Sequence, residues 1–419
     1  MSGEAVDVDL RGLRPDKQVD RLRAEFIALR GKGAFVRALV GDLPVRQYIS
    51  MLERGYRVFL ERGAKGYCLM LYPDGSTPRL GLRGAHSLVH HYEGRIYTNT
   101  TENRLVVIDE STRQVLKHIP VGDDPSHLEL SHDGRYLYVA NSGSDDVTIV
   151  DTTSDQVIAT APTGKRPLLP CVAPDGKSVY FPSGPERTVT VLGTRGEFIK
   201  TIPVGDAPHD IAVSPDNRWA YQPNSASHTV SVIDTRVQSV VGEINVGLGP
   251  GHVAFDPESR VAYVANTLSD DVTVIDTANH DLLATIPAGK GAHLPAVSPD
   301  GQYGYAANFA SDDLTVWSTK DHRVVARIPV GIYPHFFAIS PNGQWIVVSN
   351  TGESSVSVID ARTHETRARL PVGGAPAHLA FDSDSESAFV GCENTDEVAV
   401  IDLEKQHVLD LIKAGAAKA

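Results

Sequence analysis

The chain has 419 residues, 41% of them hydrophobic, and carries 39 Lys plus Arg against 52 Asp plus Glu for a formal net charge of −13. That is enough apolar material for two packed cores, while the acidic balance and scarce aromatics argue against a nucleic-acid partner. No apolar run approaches the length of a membrane span, the opening MSGEAVDVD is not a secretory signal, and Cys68, Cys171 and Cys392 form no CxxC or CxxCH motif, so a cytoplasmic protein without membrane attachment, zinc knuckle, c-type haem or disulfide framework is expected.

In chain order, Val6 to Leu10 reads as a strand, and Pro15 opens a helix with Val19, Leu22, Phe26 and Leu29 on one face. Phe35 to Val40 reads as a second strand and Pro44 to Glu53 as a second helix closed by Gly55. Tyr56 to Leu60 and Tyr67 to Tyr72 form a final hairpin. The first 80 residues hold 14 Lys plus Arg against 10 Asp plus Glu, so this part is basic while the rest is strongly acidic. Such a change of charge marks a domain boundary. The expected division is residues 1–75, a linker at 76–84, and a second domain at 85–419.

The β-α-β-α-β-β order, with Asp9-Leu-Arg-Gly-Leu-Arg14 after the first strand, resembles the small TusA-like sulfur-carrier fold. The carriers place a reactive cysteine directly after Gly-Leu-Arg. Here that position is Pro15, which matches the cysteine-less branch of the fold, and the resemblance implies a module that docks a protein partner rather than one that carries sulfur.

From about Ala85 to Gly415 a unit of roughly 42 residues recurs eight times. Its register shows in the small residue ending each second apolar run: Thr100, Asn141, Ser183, Asn224, Asn266, Asn308, Asn350 and Cys392. Each unit has four short apolar stretches, as in Asp210 to Ser214, Trp219 to Gln222, Thr229 to Asp234 and Val240 to Val246, separated by turn residues. The first turn is of the type Pro174-Asp175-Gly176, Pro299-Asp300-Gly301 or Pro341-Asn342-Gly343, in which proline presets the bend and glycine accepts positive φ. Four strands repeated at this period predict the blades of a propeller, eight in number.

The runs YVAN (Tyr138 to Asn141, and again Tyr263 to Asn266), YQPN (Tyr221 to Asn224) and YAAN (Tyr305 to Asn308) resemble the tetrapeptide of the YVTN family of β-propellers, over about four-fifths of the chain. That scaffold hosts lyases, haem proteins and plain binding modules, so the resemblance implies a fold and leaves the function open.

Histidines carry the functional signal. Counted from the glycine that ends each unit, as in Ile-Pro-Val-Gly205, His209, His293 and His335 fall at the fourth position and His127, His252 and His378 at the fifth, and His86 of the first unit, four residues after Leu82, is grouped with the fourth-position set. The third unit has Leu168 and Leu169 instead. Adjacent strand residues point to opposite faces, so the two registers are expected either to form two tiers or to be reconciled by a loop residue, and a single symmetric seven-ligand site is disfavoured. Two readings stand. In the plainer one, histidine after proline is a habit of the repeat and packs at the rim. In the sharper one, imidazoles converge on the channel mouth and bind a transition metal such as copper, iron or zinc, or a cofactor that contains one.

Val-Gly-Asp-Ala-Pro-His209-Asp and Pro334-His335 resemble the inner-strand motif that supplies axial histidines in the eight-bladed d1-haem domain of haem nitrite reductases and related cofactor-assembly proteins. By that resemblance His86, His209, His293 and His335 are cofactor-binding candidates, with His127, His252 and His378 left as metal-binding candidates. Seven histidines in a hub are also similar to the copper-cluster domain of nitrous oxide reductase, though the loops here are minimal. A second polar ring, Asp145-Asp146, Asp270-Asp271, Asp312-Asp313, Glu353 and Asp396-Glu397, is expected on the same rim. It reads either as turn chemistry or as an acidic collar for cations.

No nucleophile motif, P-loop, HExxH or dinucleotide fingerprint stands in a fitting context. The expectation is therefore a binding module rather than an enzyme, holding a metal or d1-type haem in a cofactor-handling or sensing role linked to nitrogen-oxide metabolism. The alternatives are a ligand-free interaction scaffold and a metal-dependent lyase or lactonase.

Overall fold

A computed structural model describes residues 5–9, 35–40, 57–63, 66–72, 89–100 and 102–415. The chain divides into two compact units, residues 1–84 and 85–419. In the first, Ala5–Asp9, Phe35–Val40, Arg57–Gly63 and Gly66–Tyr72 form a four-stranded sheet in which Phe35–Val40 pairs in parallel with the first strand and antiparallel with the last. The two expected helices, Pro15, the linker at 76–84 and His86 lie outside the described residues.

The second unit is an eight-bladed propeller. Each blade is one four-stranded antiparallel sheet made of four consecutive strands, and the inner strands contact one another in sequence around the ring, last to first. No helix of the described residues is long and apolar enough to cross a membrane. Blade 8 takes its outer strand from His407–Lys413, so the ring closes with every blade built from its own repeat.

Why blades and not a sandwich follows from the strand patterning. Second and third strands, such as Trp219–Asn224 and Thr229–Asp234 of blade 4, are buried along their whole length, because both faces of the sheet meet another blade. Outer strands such as Leu282–Pro287 alternate and are largely exposed. Eight hydrophobic clusters result, one for each blade-to-blade contact. Each buried Val, Leu or Ile in them contributes roughly 1.5–3 kcal/mol against exposure.

The repeat signature has two structural jobs. Where an Asn ends the second strand it is fully buried and closes its own blade: Asn308 Nδ2 donates to Asp313 Oδ1 at 2.6 Å and to Thr315 Oγ1 at 2.9 Å, and Asn141 and Asn266 repeat the pattern. The glycine that precedes each histidine loop abuts that amide, and a Cβ on Gly205 or Gly247 would stand about 2.7 Å from Asn224 or Asn266. Any other residue there would push the loop off its blade.

Candidate functional site

The loops that lead into the inner strands are held by the acidic residues of the neighbouring turn. Asp145 Oδ1 accepts the Arg166 amide at 2.9 Å, Asp270 Oδ1 the Gly291 amide at 2.7 Å, and Asp312 Oδ1 the Tyr333 amide at 2.9 Å. All three adopt the left-handed backbone. Their partners Asp146, Asp271 and Asp313 take the Asn amides described above. The acidic collar thus serves turn chemistry, and what it fixes is the loop that leads into each inner strand.

The two histidine registers meet through a β-bulge at the start of the inner strand. In blade 5, Pro250 stands opposite Asn266 and His252 opposite Ala265, so Gly251 is an extra residue. In blade 7, Pro334 stands opposite Asn350 and Phe336 opposite Ser349, so His335 is the extra one. Blades 2, 6 and 8 carry the same irregularity. A bulge sets two residues against one on the partner and re-aims their side chains. Histidines one residue apart in sequence therefore reach the same neighbourhood.

Six imidazoles form one row. Ring centroids are 5.0 Å apart for His209 and His252, 4.5 Å for His252 and His293, 5.2 Å for His293 and His335, 6.4 Å for His335 and His378, and 5.9 Å for His378 and His127. The ends of the row, on blades 4 and 2, flank blade 3 with its Leu168 and Leu169. Burial divides the row: His127, His252 and His378 are only 5–6% exposed, while His209, His293 and His335 are half-buried. The fifth-position histidines thus lie in the same row as the fourth-position ones.

Aromatic rings thicken the row on blades 6 and 7. Phe309 packs 5.5 Å from His293 and 5.1 Å from Tyr333, Tyr333 lies nearly parallel to His335 at an interplanar angle of 4°, and Phe336 packs 4.3 Å from His378. His252 meets His209 and His293 edge to face, at 77° and 81°. Among the described residues no group of three His, Cys, Asp or Glu is arranged to hold a metal ion.

The His252 imidazole has a carboxylate behind it. His252 Nδ1 lies 3.1 Å from Asp210 Oδ2, with the two side chains 8% and 15% exposed. Asp210 is free to reach across because blade 4 loses its inner ladder. Pro223 on the second strand has no N–H to donate, the inner strand shrinks to Ala212–Val213, and Gln222 Nε2 holds the Asp210 carbonyl at 2.7 Å in place of a backbone donor. Pro182 does the same to blade 3, whose inner strand is only Cys171–Val172.

Below the row, a slot that is Ala212, Ala254, Ala296, Ala338 and Ala380 in five blades holds Glu129 in blade 2 and Cys171 in blade 3. Glu129 keeps part of its surface open along the channel, but desolvation of its carboxyl, with the charge of Asp210 adding, pushes it up to about 8. Burial also pushes the Cys171 thiol well above its ordinary range. Sequence reading missed Asp210, Glu129, Cys171, Gln222, Phe309, Tyr333 and Phe336. Aligning the repeats by slot singles out Glu129 and Cys171 among alanines, whereas the reach of Asp210 to another blade leaves no mark in the sequence.

A family model described as "Lactonase, 7-bladed beta-propeller" matches residues 205–367, less than half of the chain. Those residues cover blades 4 to 7 of a ring that has eight. No curated protein matches. Among solved structures, the chain is similar to "Kuenenia stuttgartiensis Hydrazine Synthase" at 23% identity and a TM-score of 0.57, over 67% of this chain and 97% of that one. It is also similar to "Dihydro-heme d1 dehydrogenase NirN in complex with DHE" at 17% identity and a TM-score of 0.66, over 83% of this chain and 78% of that one. At these identities the likeness is one of fold.

Proposed function

We propose that the propeller binds a planar, metal-bearing tetrapyrrole of the haem d1 class at its histidine-lined channel mouth and serves in handling or sensing that cofactor. The observation that carries the reading is the row of six imidazoles, continuous over ring contacts of 4.5–6.4 Å and flanked by Phe309, Tyr333 and Phe336. A bare ion needs three or four donors around one point. A macrocycle brings its own equatorial donors and needs one axial imidazole, apolar and aromatic surface along its faces, and polar groups at its edge. The residues present fit that second demand. His252, His209, His293 and His335 would contact it, Phe309 and Tyr333 would exclude water from one flank, and Lys165 and Lys290, on the loops that lead into blades 3 and 6, would meet its anionic edge. When bound, such a group would supply a redox-active metal able to take small ligands.

Two further points rest on the comparisons and the sequence. One structural neighbour is named for a dihydro form of haem d1, which supports a cofactor of that class, and a role linked to nitrogen-oxide metabolism is part of the same proposal. Residues 1–75 are proposed to dock a protein partner. The partial lactonase match favours a second reading, hydrolysis of a lactone by the rim of blades 4 to 7.

The deciding experiment is titration of the full chain with ferric protoporphyrin and with haem d1, followed by absorption, together with an assay on simple lactones with and without divalent ions. Near-stoichiometric binding of either tetrapyrrole supports the reading. Absence of binding at micromolar concentration, or lactone turnover by a chain that takes up no tetrapyrrole, overturns it.

A further inference from the structure

Asp210 stands in a slot that holds His127 in blade 2, Leu169 in blade 3, His252 in blade 5, Leu294 in blade 6, Phe336 in blade 7 and His378 in blade 8. Blade 4 alone among these places an acid there, and two other features of the same blade make the acid useful. Pro223 releases the inner strand, and Gln222, bonded both to the Asp210 carbonyl at 2.7 Å and to the Pro223 carbonyl at 2.8 Å, pins the released stretch. The carboxylate is thereby turned to His252 of the next blade, 3.1 Å away and nearly enclosed.

We propose that Asp210 is a positioning residue that orients His252 as an axial donor to the bound tetrapyrrole. This rests on the tetrapyrrole reading above and deepens it. A carboxylate facing Nδ1 takes that nitrogen's N–H, so the tautomer is set and the lone pair of Nε2 is the one left for a metal. The negative charge behind the ring also makes Nε2 a stronger donor and favours the more oxidised state of whatever metal it touches. Gln222 and Pro223 act one step further back, by fixing the backbone from which Asp210 reaches.

The test uses the full chain and ferric protoporphyrin. In the ligand-free protein, ¹⁵N resonances should show His252 protonated at Nδ1, and D210N should weaken that preference while thermal unfolding stays near wild type. On loading, H252A should lose the histidine-ligated absorption spectrum and regain it with added imidazole, whereas H335A keeps the spectrum. D210A should weaken binding about 10- to 100-fold, the range for partners that orient a ligating histidine. D210N should raise the reduction potential of the loaded protein, and D210E should move it back toward wild type. If wild type takes up no ferric protoporphyrin, the tetrapyrrole reading falls and this inference with it. If wild type binds but H252A keeps an unchanged spectrum, or D210N an unchanged potential, the inference alone is overturned.

Discussion

The phenol oxygen of Tyr221 in blade 4 lies 2.7 Å from Nδ1 of His280, which sits in the turn between the third and outer strands of blade 5. The same reach recurs around the ring. Tyr138 donates to the Thr194 carbonyl at 3.0 Å, and Gln238 Nε2 donates to the Tyr180 hydroxyl at 2.9 Å. The tyrosine that opens each YVAN-type run thus ties its blade to the next, while the asparagine that closes the run ties the blade to itself.

His280, His322 and His364 occupy equivalent turns, and burial lowers all three below the ordinary histidine value of 6.5. Held neutral in the fold, they protonate first in the unfolded chain, which therefore binds more protons as pH drops under 6.5. Stability should be fully present above that pH and fall as the solution is acidified toward the folded values. Thermal unfolding at pH 7.5, 6 and 5 checks this, and replacing all three with Gln should flatten the acid slope. An equal slope in the variant would refute the assignment.

Glu129 gives the opposite sign. Its folded value of about 8 lies above the ordinary carboxylate value of 4.5, so its contribution is intact below 4.5 and is lost as pH rises through 8. E129Q, which is always neutral, should therefore raise Tm at pH 8.5 by on the order of 2 °C, the shift that roughly 1 kcal/mol produces in a domain of this size. Near pH 4.5 the gain should vanish. Calorimetry at the two pH values distinguishes this from a uniform packing effect.

A Cβ on Gly289 would stand 2.4 Å from Ser311 Oγ and 2.7 Å from Asn308 Nδ2. Gly289→Ala should cost about 1–3 kcal/mol through forced displacement of that network. Because the loop it displaces leads directly into His293, ligand binding should weaken along with stability. Chemical denaturation and a ferric protoporphyrin titration on the same sample report both.

Tyr333→Ala removes a ring that stacks on His335 at 4° and touches Phe309. An aromatic contact of this kind contributes about 0.5–1.5 kcal/mol, so affinity for ferric protoporphyrin should fall roughly 2- to 10-fold with the absorption maximum unchanged. A shift of the maximum would mean that the aromatic flank takes part in ligation.

The blades were legible because every element is local. Period, turn chemistry and strand patterning all lie within 42 residues, and the Pro-Asp-Gly turns appear with Gly176 and Gly301 at positive φ as the motif requires. What the sequence concealed lies between repeats or within one rung. The single extra residue of the bulge, such as Gly251 or His335, reconciles registers that alternation alone would set on opposite faces. The proline of YQPN reads as one more variation on the motif until its missing N–H is placed against the inner strand, where it frees Asp210 for a partner 42 residues away. Pairings across blades need coordinates because the repeat makes each position look like its seven counterparts.

Closure of the ring deserves a final consequence. Blade 8 meets blade 1 through Phe389, Val398, Ile96 and Val106, with no strand exchanged between them. A linear stack of repeats is weakest at its two ends, where each terminal unit has one neighbour. Here every blade has two, but among the described residues no chain connection crosses this one seam, which is held by side-chain packing and by Arg113, whose guanidinium donates to the Leu409 carbonyl at 3.4 Å and pairs with Asp410. Local opening should therefore begin at the seam, and amide exchange in blades 1 and 8 should run ahead of exchange in blades 4 and 5.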